Sequence, residues 1–425
     1  MDDGAIDLKR AAREAAYNMP LADIDPSDPE LFRNDTMWPY FERLRKEDPV
    51  HWSTSPEAEI GGYWSITKYN DIMAVDTNHE AFSSEPTIVL PDPDADFTLP
   101  MFIAMDQPKH DEQRKTVSPA VSPVQLMNLE PVIRERAGAI LDSLPIGEEF
   151  NWVDKVSIEL TTMTLATLFD FPWEDRRKLT RWSDVATAAP NSGLFSSDDP
   201  EIAKAEGRAE LFECVDYFLR LWNERVNAPP QPDLISMLAH GESTRNMDRM
   251  EYLGNLILLI VGGNDTTRNS ITGSILALSQ NPEQERLLRA DHSLIPAMVS
   301  ETIRWQTPLA YMRRTALKDV ELGGKTIKKG DKVAMWYVSG NRDEEVIERP
   351  NDFWIQRPRV RQHLSFGFGI HRCVGNRLAE LQLKIIWEEI LKRFPKIEVM
   401  GPPRRVPSSF VKGYEYLPVV IPSRT

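Results

Sequence analysis

Residues 252–279 constrain the fold more than any other stretch of the chain. Leu253, Leu256, Ile257, Leu258, Leu259, Ile260 and Val261 put apolar groups almost all round a helix, as in a segment running through the interior of a large protein. A helix of this length spans roughly 40 Å. Gly262-Gly263-Asn264-Asp265-Thr266-Thr267 comes next. A helix interior disfavours such a run, because each Gly costs about 1 kcal/mol relative to Ala and Asp and Thr prefer caps. Two readings stand. Either the helix ends at Val261 and Asp265 caps a second one, or the run is a local defect. In the second case the missing side chains leave room for a small ligand, beside the Thr266 hydroxyl and the Asp265 carboxyl. Breaches of local rules concentrate at functional sites, which favours the defect.

Helical spacing of apolar residues recurs over 126–144, 156–171, 203–226, 249–279, 283–290, 297–305 and 378–394. Strands are fewer and shorter. Those at 50–53 and 63–67 flank Gly61-Gly62, 320–327 folds about Gly323-Gly324, 333–338 follows Lys329-Gly330-Asp331, and 419–421 adds one more. The expected class is mainly α with a minor β part. Length alone suggests more than one domain, but no tether interrupts the chain, so a single domain over 1–425 is expected.

Charge and cysteine usage exclude several classes of function. A net charge of −15 argues against a nucleic-acid partner. The charged N-terminus resembles neither a secretory signal nor a membrane anchor, and no apolar run reaches bilayer length. Two cysteines far apart give no disulfide framework and point to the cytoplasm. A monomer is expected.

One of those cysteines, Cys373, lies in Phe366-Gly367-Phe368-Gly369-Ile370-His371-Arg372-Cys373-Val374-Gly375, directly before a helical pattern. Glycines at these offsets let backbone approach something flat and turn N–H groups toward the sulfur. A following helix N-terminus favours a thiolate, the state an iron ligand requires. Thiolate ligation of haem iron in turn favours O–O cleavage. This run resembles the haem-ligand loop of the cytochrome P450 family. The resemblance extends over essentially the whole chain, and it implies the P450 fold, with a long central helix over the haem and small antiparallel sheets. It also implies a b-type haem held by Cys373, with O2 as co-substrate.

Several further roles follow from the resemblance. Gly263, Asp265 and Thr266 match the oxygen-activation segment, with Asp265 and Thr266 as the catalytic pair that organises proton delivery. Haem propionates need cations near their edge. His110 and Arg114, four apart on one helix face, are candidates, with His371 and Arg314. Arg313 and Arg314 are adjacent in a strand, so one of them faces the haem, and the spacing to Gly323-Gly324 favours Arg314. Phe366, Gly367 and Gly375 complete the cofactor loop. Glu301, Arg304 and Arg357 match the family's buried structural triad. Substrate contacts implied by the topology fall on 86–105, 186–195, Leu258, Gly262, Leu309 to Met312, and Phe410-Val411.

A narrower resemblance is to bacterial P450s that hydroxylate the terminal carbon of medium-chain alkanes and fatty acids. It rests on residues 260–269 and 363–373. Electrons would come from NAD(P)H through a ferredoxin reductase and a ferredoxin. Arg372, Arg377, Lys384 and Arg114 or Lys115 are the basic residues expected to steer an acidic ferredoxin. The alternatives are a P450 acting on another apolar molecule such as a terpene, and a haem-thiolate gas sensor, which has no need of Asp265 and Thr266.

Overall fold

The computed structural model describes residues 3–57, 59–188 and 192–425. The chain forms two compact units, each assembled from segments distant in sequence. One comprises Met1–Ala95, Gln280–Cys373 and Pro402–Glu415; the other comprises Asp96–Ser279, Val374–Gly401 and Tyr416–Thr425.

The first unit is organised by a five-stranded sheet. Its spatial order is Val50–Thr54, Gly62–Ile66, Lys332–Met335, Met312–Ala316 and Phe82–Ser83. Pairing is antiparallel except that Gly62–Ile66 runs parallel to Lys332–Met335, with Trp64 opposite Val333. Successive side chains of a strand point to opposite faces. Val333 and Met335 accordingly enter a core with Ile72 and Val75 of helix Tyr69–Asp76. Ala334 and Trp336 enter a second core, with Phe41 of helix Trp38–Glu47. A sheet covered on both faces explains the unbroken apolar run from Val333 to Val338. The hairpins predicted at residues 50–67 and 320–327 form, the second pairing Val320 with Ile327.

Helix Ile295–Gln306 carries Glu301 and Arg304, and Arg357 completes the anticipated triad from beyond the helix. Arg304 donates to both Glu301 oxygens at 2.8 Å, and Arg357 adds bonds of 3.0 and 3.3 Å. The Trp354 N–H also donates to Glu301, at 2.8 Å. All three charged side chains are buried, so the carboxylate is fully engaged by donors, the condition under which a buried charge is tolerated.

The second unit is helical. Its main elements are Pro123–Asp142, Glu159–Phe169, Pro200–Arg225, Arg249–Gln280 and Asn376–Arg393, close to the predicted bounds. A π-helical turn, Val153–Ile158, leads into Glu159–Phe169. Phe169, Trp182 and Phe218 pack edge-on and tilted, with the Phe169 and Phe218 centroids 5.3 Å apart. The C-terminal strand anticipated near Val419 forms as Pro418–Val420, between Glu149–Asn151 and Glu398–Val399. Helices Trp38–Glu47, Tyr69–Asp76 and Arg177–Thr187 were not anticipated, and none of them has a side-chain N-cap. Among the described residues no helix is long and apolar enough to cross a membrane.

Candidate active site

The reading in which the long helix ends at Val261 is overturned. Helix Arg249–Gln280 runs through 32 residues without a break. Neighbouring helices bond two of the polar residues that seemed to forbid this. Asn264 accepts from the Thr161 hydroxyl at 2.7 Å, and Asp265 accepts from the Ser183 hydroxyl at 2.9 Å. Gly263 allows close approach of another helix: a Cβ there would lie 2.8 Å from Leu165 Cδ1.

Gly262 is different. A Cβ there would meet nothing within 4 Å, and the residue is exposed in a helix that is otherwise largely buried. Leu258, Leu259, Val261 and Thr266 are only partly buried, so one face of the helix is open, and its lining is apolar apart from one hydroxyl. Thr266 Oγ1 donates back to the Gly262 carbonyl at 3.0 Å.

Asp265 is fully buried and does not share that open face. Arg268 lies 3.0 Å from its carboxylate and also bonds Asp184 at 2.7 Å. Thr187 adds a 3.4 Å contact to the same carboxylate. Burial pushes the Asp265 carboxyl above its ordinary range, and the Arg268 charge opposes the rise. Ser183 and Asp184 carried no sequence signal, and Thr187 and Arg268 stood only within the segments 186–195 and 260–269; the roles of all four exist only once helix Arg177–Thr187 packs here.

In the first unit, Cys373 is exposed at the end of its loop and its N–H donates to the Phe366 carbonyl at 2.8 Å. Gly369 has φ +65°, and a Cβ on it would lie 2.6 Å from the Asp76 carbonyl, so both conformation and space exclude a side chain. Asp76 was not anticipated, yet it ties the loop to the sheet. Its Oδ2 accepts from the Phe368 N–H (2.8 Å) and the Tyr337 hydroxyl (2.9 Å), and its Oδ1 from Arg314 (2.9 Å). Burial raises the Asp76 carboxyl, against the opposing pull of Arg314.

Arg314 is therefore buried on Asp76 and on the Arg313 carbonyl, whereas Arg313 turns to the Leu90 carbonyl (3.0 Å) and Asp92 (2.8 Å). His371 belongs to the short turn Gly369–His371. Gly367 and Phe366 lie just before that turn, and Gly375 precedes helix Asn376–Arg393. In the second unit, His110 is buried on helix Lys109–Val117 with Arg114 one turn on. Its Nδ1 lies 2.7 Å from Asp111, and burial lowers the imidazole below its ordinary value.

The substrate segments divide in the same way. Leu309 bridges to Val411, the Ala310 N–H donates to the Phe410 carbonyl at 2.9 Å, and the Arg313 N–H donates to Ile88 at 2.8 Å. These contacts draw three of the anticipated segments together in the first unit. Leu258 and Gly262 lie in the second. Ala189, Pro190 and Asn191, within the anticipated segment 186–195, lie outside the described residues.

These features fit a thiolate-held haem. In the first unit a soft donor is exposed on a glycine loop that the hydrogen-bonded Asp76 carboxylate fixes, and the φ of +65° at Gly369 excludes a side chain there. When bound, the haem iron supplies dioxygen activation, and Cys373 is the residue that would ligate it.

The family profile described as "Cytochrome P450" matches residues 194–411. With the relatives below, this establishes that the chain belongs to the cytochrome P450 family and is a P450 monooxygenase. It is similar to the solved structure of "Cytochrome P450-153 from Novosphingobium aromaticivorans" (47% identity, TM-score 0.85, 93% of this chain and 98% of that one). Similarity to "CYP153D17 from Sphingomonas sp. PAMC 26605" is comparable, at 49% identity and TM-score 0.86 over 93% of this chain and 98% of that one. Among curated proteins, "Linalool 8-monooxygenase" of Pseudomonas putida is 36% identical over 412 residues, covering 93% of this chain and 98% of that protein. A "Steroid C26-monooxygenase" of Mycolicibacterium smegmatis is 34% identical over 88% of each.

Proposed function

We propose that this P450 hydroxylates the chain-end carbon of an extended apolar substrate, a medium-chain alkane or fatty acid. One atom of O2 enters the C–H bond, and the other leaves as water with two electrons and two protons. The electrons come from NAD(P)H through a ferredoxin reductase and a ferredoxin, in a monomeric cytoplasmic protein working as one domain. The observation that carries the reading is the open face of the long helix, where Leu258, Leu259, Val261 and Gly262 offer an aliphatic chain no charge and Thr266 offers one hydroxyl. The similar proteins named for linalool position 8 and steroid position 26 support it, because both positions are chain-end methyl carbons.

In this reading Thr266 orients water at the open face. Asp265 holds and exchanges a proton through its Ser183 and Thr187 contacts. Arg314, His110, Arg114 and His371 receive the propionates. Arg372 and Arg377, both exposed, attract the acidic donor protein.

The test begins with the spectrum of the reduced, carbon monoxide-bound protein. Turnover with ferredoxin and reductase follows, on n-alkanes, fatty acids and linalool, with product position read by mass spectrometry. Terminal alcohols from the straight chains are expected. Products from linalool alone would transfer the assignment to terpenes, and a thiolate spectrum without any product would favour the gas sensor.

A further inference from the structure

A cavity of about 270 Å³ opens in the first unit away from the site residues described above. Lys9, Arg13, Arg45 and Arg342 line it, with Asp35 and Glu42. Both carboxylates are already engaged. Asp35 accepts from the Trp38 indole at 3.0 Å and pairs with Arg405 at 3.3 Å and Lys9 at 3.7 Å. Glu42 pairs with Arg13 at 2.9 Å and Lys46 at 2.6 Å. Arg45 pairs through its Nε with Glu344 at 3.3 Å and through Nη1 with Ser339. Its Nη2 has no protein acceptor among the described residues.

Arg342 is less compensated. It is only 5% exposed, and no carboxylate among the described residues lies within ion-pair distance of it. Its guanidinium is sandwiched between indoles, 4.3 Å from the Trp38 ring centroid and 3.7 Å from that of Trp305. Only Nη1 finds acceptors, the Pro350 carbonyl and Asn351 Oδ1, both at 3.4 Å. The Nε and Nη2 donors bond no protein atom among the described residues. A guanidinium only 5% exposed that has no carboxylate partner and turns donors to a cavity wall is suited to an anion. Aromatic faces offset part of the charge but accept no hydrogen bonds.

We propose that this cavity binds a small phosphate-type oxyanion, with Arg342 as the central donor, Arg45 beside it and Lys9 at the rim. Two guanidinia and an ammonium favour a dianion over a singly charged carboxylate, since guanidinium forks match phosphate oxygens and the charge terms add. The volume admits free phosphate or the phosphate end of a small ester.

Equilibrium dialysis of the full-length haem protein at constant ionic strength tests this, with inorganic phosphate, glycerol 3-phosphate and acetate as probes. Asn351→Asp is the decisive variant. Asn351 is exposed, and an aspartate in its place gives Arg342 the missing carboxylate without changing shape. One phosphate-type anion per chain is expected, bound at least about tenfold more weakly by Asn351→Asp and by Lys9→Glu. Thermal unfolding in anion-free buffer should fall only slightly in Lys9→Glu, whose half-exposed pair with Asp35 contributes little, and should be unchanged or raised in Asn351→Asp. Binding of the ester alone would identify a phosphorylated metabolite as the source. Acetate binding as well as phosphate, undiminished binding in both variants, or no saturable binding up to about 10 mM would each overturn the proposal.

Discussion

Asp76→Asn is the substitution that best isolates how the cysteine loop is held. Three donors converge on this carboxylate: Arg314 on Oδ1, and the Tyr337 hydroxyl and Phe368 N–H on Oδ2. Asparagine keeps the shape but has one accepting oxygen. Its amide NH2 must then face either Arg314 or the Phe368 N–H, donor against donor, while the Tyr337 hydroxyl can turn to accept. Removing one member of a buried ion pair costs about 3–5 kcal/mol, because the other is left uncompensated. Both side chains here are almost wholly inaccessible, so solvent screening does not reduce that figure. Arg314→Gln strands the carboxylate instead. Asp76 can escape by taking up a proton, so this variant should lose less, and its loss should depend on pH. The sign follows from the raised carboxyl. Between the unfolded pKa and the folded one the native state binds more protons, so stability falls as pH rises through that window. Urea unfolding of the wild type, both single variants and the double variant gives the coupling energy. A coupling of about 2 kcal/mol or more is expected, together with a reduced thiolate-type carbon monoxide signal per haem in Asp76→Asn. Additive single effects, or an unaltered signal in a destabilised Asp76→Asn, would refute the role given to this carboxylate.

Cys373→Ser should lose the thiolate-type carbon monoxide spectrum while its far-ultraviolet circular dichroism stays that of the wild type; retention of the spectrum would remove Cys373 as iron ligand. Thr266→Ala breaks one exposed bond to the Gly262 carbonyl, so its stability should fall by no more than about 1 kcal/mol. Product per NAD(P)H should fall while hydrogen peroxide release rises, and unchanged coupling would leave Thr266 a structural residue. Asp265→Asn leaves Arg268 paired with Asp184 alone and should cost more stability than Thr266→Ala, about 1–3 kcal/mol, as well as slowing NAD(P)H consumption itself. Lys412 is buried, which with Arg405 and Arg342 nearby lowers its ammonium to about 7. Above that value the unfolded chain binds the extra proton, so wild-type stability should rise between about pH 7 and pH 10, and Lys412→Met should flatten the rise in urea titrations at several pH values.

The cysteine loop, the long helix and the Glu301–Arg304 pair were legible in the sequence because each is local, whereas Arg357 joined that pair only through the family resemblance. Glycines at fixed offsets from one thiol, apolar residues round a whole helix, and a carboxylate one turn before an arginine are written in adjacent residues. The fold class follows from the same periodicities, and the main helices and hairpins fall close to where they were expected. What the sequence left open about residues 262–267 was decided by neighbours. Thr161, Ser183 and Leu165 make a polar, glycine-containing helix interior affordable, and each is about 80 to 100 residues away in the chain. The same packing separates Asp265, buried on Arg268, from Thr266 on the open face, although they are consecutive residues. Asp76 and Arg342 were invisible for a related reason. An aspartate at the end of a short helix and an arginine after a turn are ordinary in sequence. Only the packed fold withdraws them from water and sets what each must bond, and desolvation depends on everything around a side chain rather than on its neighbours along the chain.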